Sequence, residues 1–249
     1  MKRNFLLTNK MMIGFVRLNA TLRNYRIKIA ETEEELQHAF ALRLRIYQKE
    51  VLSQTNPYPD QYDQKSVILL VYQGKKAIAT MRMVKVKGGC LTTELYQPNL
   101  LEKQESKEVV EIGGLAIDKT HRGGLKFVFI SLLITSLEWC SRNQVRYWIG
   151  ISTLRKVEMF RAINPNLVIK EAIRENLLAE ELQERRKEND RIQMKGLRPL
   201  PFLIDVSQTD YFNGAMFYLR RLLSRSKIRP KFKVKLLRYS FAIARKFQI

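Results

Sequence analysis

Cysteine and histidine are scarce in this sequence. Among 249 residues only Cys90 and Cys140, and only His38 and His121, occur. Two cysteines in apparently regular segments provide neither a disulfide framework nor a spaced cluster of metal ligands. Two histidines leave no histidine-based zinc site, and only His121 could take part in a Ser-His-Asp arrangement. We therefore expect no metal centre and a chain that works in the reducing cytoplasm.

Long hydrophobic runs are also missing. The longest, residues 127–137, contains hydroxyl side chains, among them Ser131 and Thr135, and is well short of the ~18 residues that span a bilayer. Residues 5–16 are interrupted by polar side chains and lack a small-residue cleavage site, so we expect no signal peptide. The hydrophobic content of 45% nevertheless predicts a folded core.

Acidic residues are outnumbered, and none follows Asp210. The formal net charge of +21 indicates an acidic partner, which could be nucleic acid, an anionic membrane surface or an acidic protein. Residues 211–249 interleave basic and apolar side chains, so they are either a solvated tail or an amphipathic segment that docks on such a partner. We divide the chain into a basic N-terminal segment (1–24), a domain (25–210) and this basic amphipathic C-terminal segment (211–249).

Hydrophobic periodicity predicts a mixed α/β domain. Strands are expected at 25–30, 67–72, 77–86, 109–117, 147–152, 167–170 and 200–206. Helices are expected at 32–47, 124–143, 153–163 and 171–190, of which the last is charged throughout and predicts an exposed helical excursion near 171–195. Residues 91–107 have the composition of a polar connection. This order predicts a mixed sheet with helices packed on its faces.

A pair of glycines separates the strand at 109–117 from the helix after it. Gly123 and Gly124 allow a tight turn, and the helix that follows directs unpaired backbone N–H groups at whatever lies over the turn. Arg122 and Lys126 add positive charge. The turn is therefore either an anion site or a purely structural connection.

Four charged motifs occur in a fixed order. They are Arg43-x-x-Ile46-Tyr47, Asp60-x-x-Asp63, Arg82 in the predicted hairpin and Glu111 in the strand before the glycines. In order and spacing they resemble the signature of acyl-homoserine lactone synthases and long-chain N-acyl amino acid synthases, which belong to the GNAT acyltransferase superfamily. The similarity extends over residues 43–163. It implies a GNAT-like fold, with a mixed, mostly antiparallel central sheet and helices on both faces.

The same resemblance implies transfer of an acyl group from a pantetheine thioester to an amine. Lactone synthases carry a tryptophan where this chain has Ser53 and an arginine where it has Gly114. These departures disfavour recognition of S-adenosylmethionine. We therefore expect an acylated amino acid as the product rather than a lactone.

Carboxylates are the candidates for handling the amine, which must be neutral to attack a thioester. Glu111 would bind the ammonium and remove its proton, or else form a buried ion pair with Arg82 or Arg43. Asp60 and Asp63 would face the ammonium or cap a turn.

Arginines and backbone N–H groups are the candidates for holding anionic parts of the substrates. Arg43 and Arg82 would orient the carboxylates or bind the carboxylate of the acceptor. The N–H groups of Ala116 and Ile117 would hold the thioester carbonyl. Residues for the pantetheine phosphate would be Arg122, Gly123, Gly124, Leu125 and Lys126.

We expect an N-acyltransferase that moves a long-chain fatty acyl group from acyl carrier protein or acyl-CoA to the amine of a small acceptor, an amino acid. No permanently bound cofactor is expected, because the donor is the acyl-phosphopantetheine thioester itself. The basic surface favours an acidic acyl carrier protein and peripheral contact with the inner face of an anionic membrane over nucleic acid. The alternatives are an acyl-homoserine lactone synthase that uses S-adenosylmethionine, and a non-catalytic basic binding protein on a GNAT scaffold.

Overall fold

The structure, a computed structural model, describes residues 24–50, 59–86, 90–101, 108–122, 127–164, 166–174, 178–190 and 197–208. Apart from Asn24, the predicted basic segments 1–24 and 211–249 lie outside these ranges. No helix in the described ranges is long and apolar enough to cross a membrane.

Seven strands of the described chain form one sheet. They are β1 (Tyr25–Ile29), β2 (Ser66–Gln73), β3 (Lys76–Lys85), β4 (Val109–Ile117), β5 (Tyr147–Ser152), β6 (Val168–Ile169) and β7 (Leu200–Asp205). Their order across the sheet is β1-β2-β3-β4-β5-β7-β6. Neighbouring strands are antiparallel except β4 and β5, which are parallel. The prediction of a mixed, mostly antiparallel sheet is confirmed.

Five α-helices connect these strands in the described ranges. They are α1 (Glu33–Glu50), α2 (Leu91–Leu95), α3 (Phe127–Arg142), α4 (Leu154–Ile163) and α5 (Glu180–Asn189). The predicted start of α1 is confirmed by its cap. Thr32 Oγ1 accepts the Glu35 N–H at 3.3 Å, and the Glu35 carboxylate accepts the Glu31 N–H at 3.0 Å.

The predictions for residues 91–107 and for residues 171–190 were wrong in where they placed helix. The predicted polar connection at 91–107 contains α2 and a 3-10 turn at Pro98–Leu101. The predicted helix at 171–190 begins only at Glu180, because the Ile173 N–H donates to Tyr96 O at 2.8 Å and keeps the chain extended there. Nor is α5 fully exposed, since Arg186 is buried against Tyr96. Both departures come from tertiary contacts that local composition does not reveal.

The helices lie on both faces of the sheet, as β2 shows by its alternation. Ile68, Leu70 and Tyr72 pack with Ala39 and Phe40 of α1. The intervening Leu69 and Val71 belong to the main core, which includes α3. Arg82 pairs with Ile68 across the β2–β3 ladder, so its side chain is on the α1 face. The same alternation places Glu111 on that face.

Candidate active site

The α1 face of the sheet carries a buried cluster of two arginines and two aspartates. Arg43 Nη1 of α1 donates to Asp63 Oδ1 at 2.5 Å, and both side chains are completely buried. Arg82 Nη1 of β3 lies 2.6 Å from both carboxylate oxygens of Asp60 and 3.1 Å from Asp63 Oδ1. Three of the four predicted motifs therefore meet at one place.

The two aspartates also shape the turn that presents them. Asp60 Oδ1 accepts the N–H groups of Tyr62 at 2.9 Å and Asp63 at 3.2 Å. In return Asp63 Oδ2 accepts the Asp60 N–H at 2.9 Å. The turn-capping interpretation of these aspartates is thus correct, and the same side chains orient the arginines. Their role toward an acceptor ammonium stays a prediction, and Asp63 is enclosed by the arginines.

Charge stabilises the ionised forms within this cluster. Burial alone would raise the pKa of Asp63, but the guanidinium groups of Arg43 and Arg82 outweigh it and hold that pKa below its usual value. Burial likewise opposes ionisation of Arg82, while Asp60 and Asp63 raise the pKa of its guanidinium. Asp63 is therefore a carboxylate and Arg82 a cation.

Both arginines have N–H groups that make no hydrogen bond. Arg43 Nε, Arg43 Nη2 and Arg82 Nε are buried and have no hydrogen-bond partner in the structure. A buried donor without an acceptor is unfavourable by about 1–3 kcal/mol. These N–H groups are therefore suited to receive the oxygen atoms of a ligand.

Glu111 lies in β4 beside this cluster and is 2% exposed. Its Oε2 accepts the backbone N–H of Thr92 at 2.5 Å. Neither Arg43 nor Arg82 is within ion-pair distance of Glu111. The alternative prediction, a buried ion pair between Glu111 and one of these arginines, is therefore wrong. Burial raises the pKa of Glu111, although the Thr92 N–H and the charge of Arg82 oppose the rise. A carboxyl group with a raised pKa is a better proton acceptor near neutral pH.

Gly113 leaves a gap between Glu111 and Arg82. A Cβ atom at this position would lie 3.9 Å from Glu111 Oε1 and 3.9 Å from Arg82 Nε. Gly113 is partly exposed, whereas the residues on either side of it are buried. Because glycine has no side chain, the space between this carboxylate oxygen and the unpaired guanidinium N–H is not filled by residue 113.

Gly114 forms a β-bulge directly beside the gap. Thr80 pairs with Ala116 and Arg82 with Gly113, so two residues of β4 oppose the single residue Met81. The φ of Gly114 is +57°, and a Cβ here would lie 3.0 Å from Arg43 Cζ. A side chain at this position would therefore be strained by the backbone and crowded by Arg43.

Beyond Glu111, β4 is no longer paired with β5. The two strands pair only through Val109–Tyr147, Val110–Trp148 and Glu111–Ile149. The Asp118 N–H donates to Ile78 O on the β3 side. Since hydrogen-bond direction alternates along an antiparallel strand, the N–H of Ile117 points to the open β5 side and that of Ala116 points to β3. Of the two predicted donors, only Ile117 faces the opening.

The end of β4 leads to the predicted phosphate-binding turn. Gly123, Gly124, Leu125 and Lys126 lie outside the described residues, as does Ser53. Arg122 Nε donates to Ile117 O at 2.6 Å. His121 is bonded to Thr120 Oγ1 and Gln73 Oε1, which is not a Ser-His-Asp arrangement.

Several residues of the site had been given no role, although Tyr47 belongs to the first motif. Thr92 supplies the N–H that holds Glu111, and Tyr47 donates its hydroxyl to Leu115 O at 3.1 Å in the bulge. Tyr62 places its ring 5.5 Å from the guanidinium carbon of Arg82. The position of Tyr62 between Asp60 and Asp63 was a usable signal. Nothing in the sequence indicated Thr92, because the contact is made by its backbone.

A seven-stranded sheet with one parallel pair, a bulged β4 and a separation of β4 from β5 is the arrangement of a GNAT-like fold. Residues 38–176, more than half of the chain, match the family described as N-acyl amino acid synthase FeeM. The chain belongs to this family and is an acyltransferase. No curated protein matches it in sequence.

Solved structures share the fold at low sequence identity. The structure of FeeM, an N-acyl amino acid synthase from uncultured soil microbes, aligns with a TM-score of 0.50 and 13% identity over 74% of this chain and 94% of that one. The acyl-homoserine lactone synthase LasI gives 0.54 and 14% over 76% and 93%. The CoA-dependent lactone synthase MesI gives 0.55 and 16% over 78% and 95%. These similarities confirm the predicted GNAT-like fold.

Proposed function

We propose that this acyltransferase moves a long-chain fatty acyl group from a phosphopantetheine thioester to the α-amino group of an amino acid. The gap at Gly113 carries the proposal. An amino acid has an ammonium and a carboxylate on one carbon, and the gap has Glu111 Oε1 on one side and Arg82 Nε on the other. The two charges of the acceptor and the two sides of the gap are complementary.

Glu111 acts on the amine. It binds the acceptor ammonium and takes one proton, which leaves a neutral amine to attack the thioester carbonyl. The new C–N bond forms as the C–S bond breaks, and the nitrogen loses a second proton that ends on the departing pantetheine sulfur, so that the products are an amide and a thiol. The buried position of Glu111 raises its pKa, which brings its basicity closer to that of the amine.

The arginines act on the acceptor carboxylate. Arg82 Nε and the unpaired Nε and Nη2 of Arg43 supply N–H groups toward it. Asp60 and Asp63 hold both guanidinium groups in place, so the binding geometry exists before the acceptor arrives. In this proposal Asp63 orients the arginines and does not touch the acceptor.

The donor occupies the side of β4 that β5 leaves open. The Ile117 N–H holds the thioester carbonyl as negative charge develops on its oxygen. Arg122 and residues 123–126 bind the pantetheine phosphate. No permanently bound cofactor is needed. A net charge of +21 favours the acidic acyl carrier protein over free CoA as the donor, with the enzyme in the cytoplasm and in peripheral contact with the inner membrane face.

A lactone synthase is the second candidate, because such enzymes share the fold. Gly114 disfavours it, since the left-handed backbone and the nearby Arg43 oppose a side chain at that position. Release of lactone and methylthioadenosine from S-adenosylmethionine by the purified protein would establish the second candidate instead. A non-catalytic binding protein is the third candidate. If it is correct, no thioester donor should give an acylated product.

Mass spectrometry of lipids tests the proposal. Cells that express the chain are extracted and compared with cells that express Glu111→Gln, and new masses are fragmented to identify both the acyl chain and the amine. We expect N-acyl amino acids only with the unaltered chain. The purified enzyme is then given matched acyl-carrier protein and acyl-CoA donors over a series of salt concentrations. A carrier-protein donor should be used faster at low salt and lose this advantage as salt rises. Equal product from the glutamine variant refutes the catalytic assignment.

A further inference from the structure

Two consecutive arginines of α5 contact the residues that support the acceptor site. Arg185 contacts the side of the arginine cluster, and Arg186 contacts the side of Glu111. Arg185 Nη2 donates to the Tyr62 hydroxyl at 2.6 Å, and that hydroxyl donates to Glu94 Oε2 at 2.6 Å. Tyr62 stands between the two aspartates of the arginine cluster in sequence and places its ring against Arg82. Arg185 thereby connects α5 to the cluster that would bind the acceptor carboxylate.

Arg186 connects α5 to the other half. Its Nη1 donates to Leu95 O of α2 at 3.2 Å and to Ile173 O at 2.6 Å. Its guanidinium carbon is 4.9 Å from the centre of the Tyr96 ring, and the Tyr96 hydroxyl donates to Asp190 Oδ1 at 2.6 Å. Arg186 is 7% exposed, although it belongs to the most polar helix of the described chain.

The contact at Leu95 lies one helical turn from the contact that holds Glu111. The Tyr96 N–H donates to Thr92 O at 3.1 Å, while the Thr92 N–H donates to Glu111 Oε2. A helix of five residues is not stable by itself, so tertiary contacts must set the position of α2. The described contacts of Arg186 and Tyr96 supply that support at the end of α2.

We propose that α5 is a clamp that positions the acceptor side of the active site, with Arg186 as the positioning residue for Glu111. The clamp acts through α2: Arg186 fixes the carbonyl end of this helix, and the opposite end of the helix presents the Thr92 N–H to the carboxylate. Arg185 fixes Tyr62 against the arginine cluster in the same way. The assignment of Glu111 as the base rests on the proposed function.

The surroundings of Glu111 give the clamp a measurable signature. Arg82 faces it from β3 and Cys90 from the segment before α2, while the residue paired with it on β5 is the apolar Ile149. Because the Thr92 N–H stabilises the ionised form, weakening that hydrogen bond must raise the pKa of Glu111 further. Neither Arg82 nor Cys90 is altered by removing Arg186.

Infrared titration of the protein labelled with ¹³C-glutamate tests the clamp without any substrate. The Glu111 band is identified as the carboxylate signal that is lost in Glu111→Gln. In Arg186→Met the midpoint of this band should move to higher pH by about 0.5–1 unit, the change expected from losing a hydrogen bond to the charged form. Arg186→Lys, which keeps the charge and a donor, should give a smaller shift. Arg142→Met, an equivalent change at an exposed arginine of α3, should give none.

Kinetics provide the second measurement. The acid limb of the pH profile of kcat/KM, which reports the free enzyme, should move by the same amount as the infrared midpoint, with the value at high pH largely kept. A lower melting temperature in Arg186→Met with an unshifted midpoint would show that Arg186 only supports the fold, and would end the proposal. If Arg186→Met does not fold, the same midpoint is read in Arg186→Lys, where an unchanged value has the same meaning. Absence of any acylated amine leaves the titration readable, so failure of the proposed function is distinguished from failure of the clamp.

Discussion

Arg43 Nη1 and Asp63 Oδ1 are 2.5 Å apart and have no exposed side-chain surface. A charge removed from water at this depth is unfavourable unless its partner is present. The pair joins α1 to the turn before β2, and Arg82 joins the same carboxylate to β3. Asp63 is therefore the anion around which three parts of the site are assembled.

We expect Asp63→Asn to lower the free energy of unfolding by about 3–5 kcal/mol, because it leaves two buried guanidinium groups without their shared anion. Urea unfolding followed by circular dichroism measures the change. Asp60→Asn is the matched control. Its side chain is 33% exposed and water can replace part of its interaction, so its effect should be less than half as large. Equal losses at the two positions would contradict the central role of Asp63.

The pH dependence of this stabilisation has a definite sign. The folded-state pKa of Asp63 is lowered, so its contribution is present above the ordinary value near 3.8 and is lost as pH falls through the lower folded-state pKa. The difference in unfolding free energy between the unaltered chain and Asp63→Asn should therefore be constant near neutral pH and narrow below about pH 4. If the difference in unfolding free energy persists into strong acid, it arises from packing and not from the charge of Asp63.

Glu111→Gln should reduce kcat about 10²–10⁴-fold without loss of stability, because an amide cannot accept the proton of the ammonium. The folded-state pKa of Glu111 is raised, so the protonated form is favoured by the fold. Any stabilisation from this residue is present below the ordinary value and is lost as pH rises through the folded-state pKa. At neutral pH the glutamine variant should accordingly be as stable as the unaltered chain or more so.

The control for this prediction is Glu171→Gln, at a side chain that is 85% exposed. It should leave both kcat and stability unchanged. In the unaltered enzyme the acid limb of the kcat/KM profile, which reports the free enzyme, should have its midpoint above 4.5, the ordinary value for glutamate. A midpoint at or below that value is inconsistent with the burial of the base.

The fold was largely accessible from the sequence because its signals are local. Two strand-like runs on either side of the glycine-containing turn at residues 73–76 predicted β2 and β3, a capping box predicted the start of α1 and two glycines predicted the approach to α3. The conjunction of Arg43, Asp63 and Arg82 was accessible only through the order of motifs, since their contact depends on the α1 face meeting the hairpin.

Other parts of the site had no local signal. Thr92 acts through its backbone N–H, which every residue except proline possesses. Arg186 looked like one more charge on a polar helix, and its burial follows from the position of Tyr96, 90 residues earlier in the chain. The meaning of Gly114 also changed. A missing arginine suggested only a different substrate, whereas the structure shows a bulge in which a side chain would be strained by its left-handed backbone and crowded by Arg43 and Arg82.

Gly113→Ala should raise the KM for the amino acid acceptor tenfold or more and leave the melting temperature unchanged. A methyl group fits at ordinary contact distance from its neighbours, 3.9 Å from Arg82 Nε and from Glu111 Oε1. It fills the space in which the acceptor would bind. Steady-state kinetics with the acceptor varied at saturating donor measure the change. An unaltered acceptor KM would show that the amine binds elsewhere, and the KM for the donor provides the internal control.

Gly114→Ala should destabilise the fold more than Gly74→Ala, although both glycines have φ of +57°. At Gly74 an added Cβ meets nothing within 4 Å, so alanine there has only the strain of the left-handed backbone, about 1–2 kcal/mol. At Gly114 the Cβ also meets Arg43 Cζ at 3.0 Å and Arg82 Cγ at 3.1 Å, which adds about 1–3 kcal/mol of overpacking. Urea unfolding of the two variants separates these contributions, because their difference cancels the backbone strain. Equal losses would mean that Arg43 moves aside freely, and a side chain at position 114 would then be compatible with this site.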